Sequence, residues 1–111
     1  MGFLGKLFGK KEEEKAKATP KINVKQAATT AKVDAAKVGL DGQFDESGLA
    51  KRVAQAFDDA GLSDDVGLWV AQSGSTVVLK YNSDAQSVLD QAKKIAMSVD
   101  GATNVTTEAN S

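Results

Sequence analysis

Hydrophobic positions become periodic only from about residue 38 onward. Val38-Gly39-Leu40 reads as a short edge strand ending at Asp41-Gly42. A helix follows, capped by Asp45 or Ser47. In it Leu49, Val53, Ala56 and Phe57 recur at helical spacing, and Lys51, Arg52, Gln55 and Asp59 take the other side. Gly61 stands where a left-handed helix stop is expected. Val66, Leu68 and Val70 alternate with Gly67, Trp69 and Ala71, the period of a strand with two unlike faces. Ser73-Gly74-Ser75 makes a turn into a second strand, Thr76–Tyr81, and the pair predicts a hairpin.

Ser83 and Gln86 have capping-box spacing and open a longer helix. Its stripe is Val88, Leu89, Ala92, Ile95, Ala96 and Val99, and Gly101 ends it. Residues 102–107, ATNVTT, are β-prone and supply a last strand. The predicted order is strand, helix, strand, strand, helix, strand. Two helices on one face of a small mixed sheet bury both stripes in one two-layer core, so the fold class is α+β. The domain occupies residues 38–111, preceded by an Ala/Lys/Thr-rich linker over 12–37 that contains the lone Pro20.

Residues 1–11 are different again. Wound as a helix, Phe3, Leu4, Leu7 and Phe8 share one face, with Lys6 and Lys10 at the flank and Lys11 just beyond. That pattern suits a helix lying in an anionic bilayer interface, with the Lys heads reaching lipid phosphates. Three readings stay open: contact with a membrane, docking on the domain, and a disordered start. The run is too short for a signal-peptide core or a transmembrane span, and Lys6 breaks the myristoylation pattern.

Charge sharpens the division. Residues 1–25 hold seven Lys against three Glu, a net +4, whereas residues 26–111 hold seven Lys and Arg against twelve Asp and Glu, a net −5. A basic arm on an acidic body points to anionic surfaces for the arm, and the body lacks the basic stripe that nucleic-acid binding needs. With no His and no Cys, the sequence excludes an imidazole base, a thiol nucleophile and a Cys/His zinc site. The acidic pairs Asp45-Glu46, Asp58-Asp59 and Asp64-Asp65 have neither a nucleophile beside them nor the spacing of a calcium loop. They read as caps and solvated surface. A catalytic role is not expected.

The stretches LAKRVAQAF (49–57), VGLWVAQSGSTVVLKY (66–81) and AKKIAMSVDGATNV (92–105) resemble the BON domain family. Gly101-Ala102-Thr103-Asn104-Val105 matches the family's ending of a helix, a Gly, a small apolar residue, two variable positions and Val. Where the family usually leaves its second strand through a Gly, this chain has Tyr81 and Asn82, so the exit is expected to turn differently. The resemblance implies a non-catalytic binding or adaptor module. The opening MGFLGKLFGK is also similar to that of cytoplasmic potassium-binding members, which join a BON domain to a LysM domain; no LysM half follows here. That likeness alone implies, as the alternative function, potassium held largely by backbone carbonyls; the basic amphipathic start, the linker and the BON resemblance together lead us to expect a cytoplasmic, membrane-peripheral location. No ligating residues are nominated.

If Val66, Leu68 and Val70 face the helices, Trp69 lies on the opposite sheet face. Val78 joins it there, because Val77 and Leu79 face inward. An open face bearing Trp beside Val is a candidate surface for a protein partner. Cover by the N-terminal segment or by a second copy of the chain remains open.

Overall fold

The computed structural model describes Phe3, Phe8, Thr29, Lys32 and residues 34–40, 44–62 and 66–109. The hairpin forms as its alternation requires. Strand β1 (Leu68–Ser73) pairs antiparallel with β2 (Thr76–Tyr81), from Leu68 opposite Tyr81 to Ser73 opposite Thr76. Gly74, at a φ of +60°, supplies the left-handed residue of the tight turn. Strand β3 (Asn104–Ala109) pairs parallel with β2, so the sheet is mixed, in the order β1-β2-β3. Parallel pairing needs a crossover, and residues 83–103 provide it.

Helix α1 (Gly48–Asp59) packs on β1, and α2 (Leu89–Met97) packs on β2 and β3. Both helices share one core with the inward face of the sheet. Leu49, Val53 and Phe57 of α1, Ala92 and Ala96 of α2, and Leu68, Val70, Val77 and Leu79 of the strands are buried. Alanine at the two most buried α2 positions lets that helix lie close to the sheet. Its larger stripe residues, Val88, Leu89, Ile95 and Val99, pack half-buried around them. The fold is α+β.

Two local expectations change, and a third holds. Residues 83–88 wind as a 3₁₀ helix before α2, and no capping box forms. The Asp84 carboxylate instead accepts the Gly67 N–H at 3.1 Å, tying the crossover to the start of β1. Neither Asp45 nor Ser47 caps α1 through its side chain. Asp45 accepts the Ser47 N–H at 2.9 Å and the Lys51 ammonium at 2.7 Å, while the Ala50 N–H in the first turn of α1 donates across the core to Gln72 Oε1 at 2.8 Å. The exit at Tyr81-Asn82 needs no positive φ: Asn82 stays extended at φ −90°, ψ 169°, and donates its N–H to Gly67 O at 2.8 Å.

The expected first strand is not a member of the sheet. Residues 35–37 form a single 3₁₀ turn, and Val38 makes one isolated antiparallel bridge to Phe44. A segment outside a ladder must satisfy its backbone in another way. The carbonyls of Ala35 and Val38 accept from Arg52, that of Ala36 from Gln72 Nε2 at 2.9 Å, and that of Lys37 from the Asp45 N–H at 2.7 Å. Residues 34–40 thus lie as a strap against α1, with Ala36, Val38 and Leu40 buried.

The fit of the strap depends on Gly48. A Cβ added there would stand 2.3 Å from Val38 O, an overlap that only movement of the strap relieves. Helix propensity favours Ala over Gly by about 1 kcal/mol. Even so, Gly48→Ala is expected to lower stability by about 1–3 kcal/mol, the usual range for overpacking. Thermal unfolding checks the sign, and a raised midpoint would mean that the strap does not press on α1.

Candidate functional site

Among the described residues, two places are built from more than packing: the sheet face opposite α1 and α2 and the buried end of the strap.

The sheet face follows from strand phase. Leu68 and Val70 are buried, and Trp69 between them is 37 % exposed. Register places Trp69 beside Lys80 and Lys80 beside Glu108, while Ala71, Val78 and Thr106 form the next row. Val78 is half-buried; Ala71, Lys80, Thr106 and Glu108 are exposed. Trp69 and Val78 are therefore brought to one surface, as alternation predicts, on a diagonal across neighbouring strands. Phe44 and Met97 are also exposed, but neither belongs to the sheet.

Arg52 was expected on the outer side of its helix, yet it is 7 % exposed. Its Nε donates to Val38 O at 2.7 Å, Nη2 to Ala35 O, and Nη1 to Asp100 O in the turn between α2 and β3. Burial pushes its pKa down to about 10, against an upward pull from Asp100, so the group stays charged at neutral pH. A planar fork of donors is well suited to reach carbonyls from two separate segments at once. Nothing in the helical spacing of residues 49–57 distinguishes Arg52 from Lys51, because the acceptors come from distant parts of the chain.

Of the N-terminal residues expected at a membrane, Phe3 and Phe8 are described. Phe3 is 0 % exposed, and its ring meets Phe57 edge-on, with centroids 5.3 Å apart and planes at 72°. Its N–H donates to Asp58 Oδ1 at 2.6 Å. Phe8 is half-buried against the same core. Leu4, Lys6, Leu7, Lys10 and Lys11 lie outside the described residues, as does nearly all of the expected linker.

Among the described residues no group of three or more Asp or Glu stands ready to hold a metal ion, and no helix is long and apolar enough to cross a membrane. Comparison with protein-family models, with characterised proteins and with solved structures returns no match.

Proposed function

We propose that this chain is a non-catalytic, BON-like binding module that works at an anionic membrane surface and receives a protein partner on the sheet face opposite α1 and α2. The observation that carries the reading is Trp69, a large aromatic on the outward phase of β1 while its two neighbours of opposite phase are buried. A Trp on a strand offers a large contact area at little cost in side-chain entropy, as residues that dominate interfaces do. Val78 and the methyl of Thr106 extend the apolar strip, and Lys80 and Glu108 give it a charged rim. The basic arm of residues 1–25 supports the membrane part, because polybasic segments are drawn to anionic headgroups.

Trp69→Ala tests the sheet face. Full burial of a Trp would make truncation cost about 3–5 kcal/mol. At this partly exposed position the expected loss is about 1 kcal/mol or less by urea denaturation. Affinity capture should at the same time lose the partner bound by the wild type. Equal capture by both proteins would refute the assignment of this face.

A further inference from the structure

We propose that Phe3 is stored on the domain, latched against Phe57 and Asp58, and that it leaves this slot to enter an anionic lipid surface. The inference rests on the membrane reading above and adds its regulation. Phe3 is far too well held for an incidental contact: its ring is wholly buried, packs edge-to-face on Phe57, and its backbone N–H is bound by a carboxylate. Asp58 sits in the last turn of α1, where a negative charge opposes the helix dipole. Its carboxylate accepts the Phe3 N–H there.

The same ring cannot be in the core and in lipid together. Apparent affinity for a membrane is therefore reduced by the fraction of molecules in which Phe3 has left the slot.

The test uses the full chain and vesicles of phosphatidylcholine with phosphatidylglycerol, read by co-sedimentation and by the nuclear Overhauser contact between the Phe3 and Phe57 rings. Asp58→Ala removes the acceptor of the Phe3 N–H. Asp59→Ala removes the same charge one residue away on an exposed side chain, and so controls for general electrostatics. Loss of a charge-assisted hydrogen bond should raise vesicle affinity about tenfold in Asp58→Ala. Asp59→Ala should change it much less, and Phe3→Ala should bind more weakly than Asp58→Ala. The Phe3–Phe57 contact should be present in water and lost on vesicles. If the wild type binds vesicles with that contact intact, or if Asp58→Ala and Asp59→Ala bind alike, storage is overturned and the membrane reading stands. If none of the proteins binds, both fall.

Discussion

Arg52→Met is expected to destabilise the domain by about 3–5 kcal/mol, although residue 52 falls on the side of its helix that sequence periodicity leaves to solvent. Met keeps much of the aliphatic volume and removes every donor. A buried carbonyl left without a partner costs about 1–3 kcal/mol, and Arg52 serves the buried carbonyl of Val38 and the partly buried carbonyls of Ala35 and Asp100. Relief of the desolvation that lowers the guanidinium pKa returns part of this. Arg52→Lys should lie between, since an ammonium keeps the charge but cannot bridge two segments with a planar fork. Urea denaturation gives the number, with an unchanged slope showing that the unfolded state is not what moved. A loss within about 0.5 kcal/mol, the usual size for a surface site, would show that the three carbonyls find water instead.

Phe57→Ala is expected to cost a similar amount, about 3–5 kcal/mol, through the cavity left by a fully buried ring. Part of that is the contact with Phe3, which a double-mutant cycle separates. Aromatic pairs of this geometry contribute about 0.5–1.5 kcal/mol beyond area burial. The loss on Phe57→Ala should therefore be smaller by about that much when Phe3 is already Ala. Strict additivity would mean that Phe3 and Phe57 do not share a slot in solution.

The hairpin was legible in the sequence because two signals agree there: period-two alternation from Val66 to Ala71 and a tight turn at Gly74. The outward placement of Trp69 follows from the same alternation. The α+β class was legible from the two amphipathic stripes. What failed was local and polar. Val38-Gly39-Leu40 has the alternation of a strand, but side chains of Arg52 and Gln72 take the carbonyls that a ladder would have taken. Ser83 and Gln86 have the spacing of a capping box, yet Asp84 is drawn to Gly67 and the segment tightens into a 3₁₀ turn. Docking of Phe3 on the domain was one of three readings its amphipathic face left open, and nothing in the sequence selected it, because its partner lies 54 residues away in the chain.

The strap has a kinetic consequence. Arg52 reaches acceptors 14, 17 and 48 residues away, so none of its bonds exists in a fragment that has made only the hairpin or only α1. Closing such loops comes before any reward from them, which places the strap among the last contacts to form. Substitutions at Arg52 should then speed unfolding and leave the folding rate nearly unchanged. Strengthening the strap should then lengthen the lifetime of the native state, and with it how long the chain resists proteolysis that depends on global opening.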